Sequence, residues 1–279
     1  MSNDKGAARS SLRPRLALGI RHFAFGIACL ALSGCAAKRL ALPTDPGTPF
    51  PDFAAVHAEL SRVCSGVRTL TAELSMSGRA GDQKLRGRVH AGFERPASMR
   101  LEGVAPFGPP AFILVARGGV ATLLLPRDER VVRGARADDI LGALTGVSLA
   151  PTDLQAILTG CVVPAPRATG GRLHANGWAS IDLDGGATLF LQRQGQTWQL
   201  RAARRTPWQV EYTATGGALP SGVALHSDDP VRVDLNASIG QIETNVDLDA
   251  AAFTVNVPEN AQPLSLDGLR ASGPLRESQ

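Results

Sequence analysis

Two apolar runs, Ala111-Phe-Ile-Leu-Val-Ala116 and Val120-Ala-Thr-Leu-Leu-Leu125, stand on either side of Arg117-Gly118-Gly119. The spacing is that of a tight hairpin. Neither run alternates polar with apolar residues, so neither strand has a face suited to water. Such a strand is buried on both sides, or it borders a cavity that something apolar occupies. A chain with this hairpin has to fold other segments over both of its faces or keep a cavity open against one of them.

The segments around the hairpin read as further strands and a few short helices. Strands are expected at 67–79, 85–93, 99–104 and 130–133, and again at 173–178, 180–183, 187–192, 197–203, 209–215, 231–235, 241–246 and 253–257. Asp184-Gly185-Gly186 and Gln194-Gly195-Gln196 suit hairpin turns between them. Before the first strand, Pro51 and Asp52 open a helix in which Phe53, Val56, Leu60 and Val63 recur at three- and four-residue spacing, with Gly66 as its stop. Two short units, 137–146 and 151–160, interrupt the β rhythm; acids or Pro stand at the start of each and Gly at its end. Ile140, Leu141 and Leu144 in one, and Leu154, Ile157 and Leu158 in the other, are apolar positions that have to cover something. The expected fold is mainly β (α+β): a curved antiparallel sheet or half-open β-barrel with a short-helix lid.

The amino terminus carries an address. Lys5, Arg9, Arg13, Arg15 and Arg21 lead into a short apolar run, 23–32, with no stop-transfer pattern. It is shorter than the roughly 20 apolar residues that span a bilayer. Leu32-Ser33-Gly34-Cys35 follows and resembles the lipobox of bacterial lipoprotein signals. That resemblance implies attachment of diacylglycerol to the Cys35 sulfur, cleavage after Gly34 and acylation of the new amino terminus. Residues 1–34 then form a removed signal. Ala36 stands where an Asp resembles an inner-membrane retention signal in enteric bacteria, so the expected location is the outer membrane, on its periplasmic face. Residues 35–50, with three prolines and little periodicity, read as a lipidated tether. A single domain is expected over 51–257, followed by a poorly ordered Pro- and Gly-rich tail, 258–279.

Removal of the signal changes the charge. The whole chain has 29 Lys and Arg against 25 Asp and Glu, and loss of residues 1–34 leaves 24 of each. The high pI is therefore no argument for a nucleic-acid partner. An asymmetry survives: basic residues outnumber acids 13 to 6 from Arg62 to Arg136, and acids outnumber bases 15 to 9 from Asp138 onward. Opposite edges of one sheet system pairing with each other, or a basic face toward anionic lipid, would each account for it.

The cysteine arithmetic is equally altered. Cys29 leaves with the signal and Cys35 is the anchor, so Cys64 and Cys161 remain in a compartment where disulfides persist. A bridge between them is the expectation, with two separately buried thiols as the alternative. Chemistry of other kinds has no signature. His57, His90, His174 and His226 are scattered, with no pair at metal-ligand spacing and no His-Glu-x-x-His. Asp182-Leu-Asp184-Gly185-Gly186 lacks the further ligands and closing Glu of a calcium loop. Neither Gly-x-Ser-x-Gly nor Gly-x-x-x-x-Gly-Lys occurs. No catalytic residue, metal or cofactor is expected.

Between 67 and 161 the chain resembles a family. Ser-x-Ser-Gly-Arg at 75–79, Arg-Gly-Arg-Val at 86–89, Gly-Phe-Glu-Arg-Pro at 92–96, Met-Arg-Leu-Glu at 99–102, Pro-Phe-Gly at 106–108 and Leu-Leu-Pro-Arg-Asp at 124–128 look like the LolA/LolB-like superfamily, nearer its uncharacterised lipoprotein branch than its classical carriers. The resemblance implies an incomplete antiparallel barrel around a helical lid, with a hydrophobic cavity that receives acyl chains. Classical members carry lipoproteins across the periplasm or receive them at the outer membrane. The implied partners are the membrane, through Cys35, and acyl chains or lipoprotein cargo. Candidate cavity residues are Phe112, Leu114, Leu123 and Leu125 from the hairpin and Ile140, Leu144, Leu154 and Leu158 from the lid. A core filled by the chain's own side chains is the other arrangement open to them, and would suit a structural or interaction module of the envelope. Phe107, in the apolar loop 104–110, is a candidate for membrane or partner contact, in likeness to an apolar loop residue of the family's receptor member; folding back onto the core is its alternative.

Overall fold

Apolar alternation sets the strands, and in a computed structural model, which describes residues 39–213 and 219–272, they join into one sheet. The chain lays down β1 (Thr48–Pro49), α1 (Phe53–Ser65), β2 (Thr69–Ala80), β3 (Gln83–Glu94), β4 (Ser98–Val104), β5 (Ile113–Arg117), β6 (Val120–Leu125), β7 (Arg130–Ala135), α2 (Ala137–Thr145), α3 (Pro151–Thr159), β8 (Ala168–Leu173), β9 (Trp178–Leu183), β10 (Thr188–Gln194), β11 (Thr197–Arg205), β12 (Trp208–Thr213), β13 (Gly222–Ser227), β14 (Val233–Thr244), β15 (Gln262–Pro263) and α4 (Leu266–Ser272). The strand order is β1-β8-β9-β10-β11-β12-β13-β14-β2-β3-β4-β5-β6-β7-β15. Neighbours are antiparallel except β15, which runs parallel to β7. The two end strands do not pair with each other, so the sheet curves without closing. This is the half-open architecture expected from the strand rhythm.

The constraint set by the hairpin is met by the chain itself. On one face of β5 and β6, Leu114 lies opposite Leu123, and Leu123 opposite Val132 of β7. These residues join the main core with Ile140, Leu144 and Leu269. Helix α2 packs on β6 and α4 packs on α2. On the other face, Val115, Leu124 and Val131 are also buried. A 3-10 turn, Ala250–Phe253, packs on β4 and β5 there. Arg100 of β4 holds it by donating to the carbonyls of Ala252 (3.1 Å) and Thr254 (2.9 Å). The doubly apolar strands are thus covered from both sides.

Several expectations are corrected. The tail after 257 does not stay loose as far as it is described: β15 pairs with β7, and Leu264 and Leu269 are buried, because the exposed edge of β7 and the apolar top of α2 both needed covering. The tether gives way to structure before residue 51. Thr48 and Pro49 pair with β8, and Phe50 is buried against Ile181 and Leu191. Residues 253–257 form no strand. The expected strands at 231–235 and 241–246 are one strand, β14, carried through its polar middle by a register shift between Gly240 and Glu243. Residues 174–177 turn where a strand was expected, and β13 was not anticipated.

Candidate functional site

Helices α2 and α3 lie on the concave face of the sheet. Each ends at a glycine with φ +78°, Gly146 and Gly160, a conformation that a residue with a Cβ adopts only under strain. These stops keep both helices short. Asp153 tightens the start of α3 by accepting from the Ala150 amide (3.2 Å), and Arg136 forks onto Asp138 at the start of α2 (3.0 and 2.9 Å). That pairing holds the Asp138 carboxyl below the usual carboxylate range.

Between these helices and the sheet is a cavity of about 310 Å³. Phe112, Leu141, Leu154 and Leu158 line it from above, with Met76 and Leu101 among the sheet residues below. Two glycines shape its floor. A Cβ on Gly103 would stand 2.5 Å from the Phe112 ring, so only glycine lets that ring lie over the sheet. A Cβ on Gly87 would meet nothing within 4 Å. Gly87 is exposed, and the cavity is open to solvent there.

A second cavity of about 740 Å³ lies over the other half of the sheet, between α1, α3 and β9–β13. Trp198, Leu200, Trp208, Val210 and Tyr212 project into it from the sheet, and Leu60 from α1. Cys64, in the last turn of α1, and Cys161, just beyond α3, are joined in a disulfide across its wall, their Cα atoms 6.2 Å apart. Burial pushes the Tyr212 hydroxyl well above the usual tyrosine range and holds the His57 imidazole below the usual histidine range, so both are neutral groups at pH 7.

No family model matches the chain, and no curated protein does. Among solved structures it is similar to a DUF1329 family protein from Desulfovibrio piger, at 10% identity and a TM-score of 0.48, covering 74% of this chain and 98% of that one. A LolA superfamily protein from Nitrosomonas europaea stands at 10% identity and a TM-score of 0.48, with 72% and 98% covered. A domain named for outer membrane lipoprotein sorting, from Vibrio parahaemolyticus, stands at 9% and 0.44, with 72% and 95% covered.

The structure separates the cavity candidates into two groups. Phe112, Leu154 and Leu158 line the smaller cavity. Leu114, Leu123, Leu125, Ile140 and Leu144 line neither cavity; each is at most 1% exposed, because the hairpin face and the lid helix pack directly on each other. Phe107 does not fold back. Its side chain is 88% exposed, and its loop is held by Arg127, whose guanidinium donates to the carbonyls of Phe107 and Pro109. Cys35 lies outside the described residues. The aromatic wall of the larger cavity was missed, although Trp198/Leu200 and Trp208/Val210/Tyr212 carry the period-2 signal of one buried face.

Among the described residues, no group of three or more His, Cys, Asp or Glu is placed to hold a metal ion. One polar relay is notable: His174 bridges Asp45 (Nδ1 to Oδ1, 3.1 Å) and Ser180 (Nε2 to Oγ, 2.9 Å). Ser180 is buried in mid-strand and lines neither cavity, so the relay fastens the segment before β1 to the sheet. What the concave face offers is apolar volume.

Proposed function

We propose that this chain is a membrane-anchored, periplasm-facing lipoprotein that takes an acyl chain, borne by a lipid or by a lipoprotein, into the cavity beneath α2 and α3. The observation that carries this is the open apolar cavity over Gly87. Its volume falls within the range of about 300 to 1,000 Å³ usual for ligand sites. Each methylene moved from water into such a site contributes about 0.8 kcal/mol, so ten would supply on the order of 8 kcal/mol before the cost of association. The lipobox at Cys35 supports the membrane anchor, since a lipidated chain with a short tether works at a surface. The exposed Phe107 loop supports contact with that surface, where an aromatic ring sits well at the headgroup level. No helix among the described residues is long and apolar enough to cross a membrane.

The test uses the mature chain from Ala36, secreted behind a cleavable signal so that it carries no lipid of its own. Titration with a fluorescent fatty acid is expected to saturate and to be reversed by unlabelled palmitate. Absence of saturable binding overturns the proposal.

A further inference from the structure

Strand alternation divides β2 and β3 between two environments. Leu74, Leu85 and Val89 are buried on the concave side, so Ser75, Ser77 and Arg79 of β2 and Lys84, Arg86 and Arg88 of β3 face outward. Register sets Ser75 opposite Arg88, Ser77 opposite Arg86 and Arg79 opposite Lys84. All six are exposed, whereas the outer face of β4 and β5 beside them is covered by the 3-10 turn Ala250–Phe253.

This block carries four cations and no acid. Like charges directly opposite each other across a strand pair destabilise a sheet, and Arg79 and Lys84 stand in that relation. Arg86 and Arg88 add two more charges on the same face. Among the described residues Arg79 and Arg86 form no ion pair, and Arg88 reaches Glu73 only at 3.6 Å, with its side chain 60% exposed. Asp234 of β14, opposite Arg79, stands 2.7 Å from His226 Nδ1, and Asp82 lies beyond the block in the β2–β3 turn. The row of cations is thus left for an anion from outside the chain.

An aromatic ring stands beside it. Strand β4 stops at Val104, opposite Arg88, and the loop after it runs on in the direction of Arg86 and Lys84. That loop carries Phe107, 88% exposed. Cations in a row with an exposed ring at their side suit a lipid surface, the guanidinium groups on phosphates and the ring at the headgroup level.

Resting on the membrane-facing reading above, though not on acyl binding, we infer that the outer face of β2 and β3 lies on an anionic phospholipid leaflet, with Arg79, Arg86 and Arg88 on its phosphates and Phe107 at its surface. A convex wall meets a flat leaflet over a narrow strip, and the cations are gathered in one. Gly87, where the smaller cavity opens, belongs to the same stretch of β3, so this orientation brings that opening beside the leaflet.

The experiment is co-sedimentation of the mature chain, without its lipid, with vesicles of phosphatidylcholine alone or mixed with phosphatidylglycerol. The wild type is expected to bind the mixed vesicles about tenfold more tightly or better, and to lose the preference at high salt. Each cation near such a surface contributes about fivefold, so Arg86→Gln/Arg88→Gln is expected to weaken binding to mixed vesicles by about tenfold or more at unchanged melting temperature. Arg86→Lys/Arg88→Lys keeps the charge and is expected to bind within about twofold of wild type. Arg167→Gln/Arg193→Gln removes the same charge elsewhere on the surface and is expected to bind as wild type does. Equal binding to the two kinds of vesicle, or an equal loss in the Arg167→Gln/Arg193→Gln chain, overturns the inference. Binding of soluble polyphosphate by a wild type that ignores both vesicles assigns the row to a soluble polyanion and overturns it too. None of these readouts uses an acyl ligand, so each such result leaves the fatty-acid titration to decide the acyl-binding reading separately.

Discussion

At the scale of single residues, similar leucines serve opposite ends. Leu114 and Leu123 face each other at 0% exposure beneath α2, whereas Leu154 is half-buried and borders open volume. Truncating Leu114 or Leu123 to Ala is expected to cost about 2 to 5 kcal/mol, and Leu154→Ala clearly less, because a side chain beside a cavity gives up fewer contacts; urea midpoints at constant slope measure both. Sequence pattern marks all three as apolar and buried, and cannot tell a packed leucine from a lining one, since the difference lies in what the facing element leaves unfilled. Gly87 shows the same limit: the glycine is plain in Arg-Gly-Arg, but the emptiness above it belongs to the lid. His57 supports a prediction of another kind. Its imidazole is held below the usual histidine range by burial, so the unfolded chain binds a proton more readily, and stability falls as pH drops below about 6.5. His57→Gln is expected to flatten that part of the profile, read as melting temperature between pH 5 and pH 7.5.

At the scale of elements, the hairpin of β5 and β6 made the strongest demand and was the most legible part of the chain. Burial on both faces is one of the two arrangements its pattern allows; which segments cover those faces is not legible in it. One face is covered by α2, close in sequence, with α4 packed on it, the other by the 3-10 turn; α4 and the turn come from far along the chain, and long-range docking of that kind leaves no local periodicity. The same holds for β14, whose polar middle looked like a break and is a bulge. Helix α1 was legible in position but turned in detail, because His57 and Cys64 face inward and Val63 is 46% exposed. The Cys64–Cys161 bridge, 97 residues apart in sequence, fastens α1 to the exit of α3. Replacing both cysteines by Ser is expected to lower stability by about 3 to 5 kcal/mol in the chain-entropy model, measured by urea unfolding of the oxidised wild type and the double variant.

At the scale of the whole molecule, an open sheet with a lid encloses apolar space that its own side chains do not fill, and an exposed Phe107 stands on a loop held by Arg127. Phe107→Ser is expected to leave the melting temperature unchanged and to weaken sedimentation of the unlipidated chain with anionic vesicles. The central claim, that an acyl chain enters beneath α2 and α3, is tested most directly by a photoactivatable fatty acid. Crosslinked to the mature chain and mapped by peptide mass spectrometry, it is expected to label peptides containing Phe112, Leu154 and Leu158, and to lose those labels on Gly87→Phe. Labelling confined to the outer face of the sheet, or unchanged by Gly87→Phe, would contradict it.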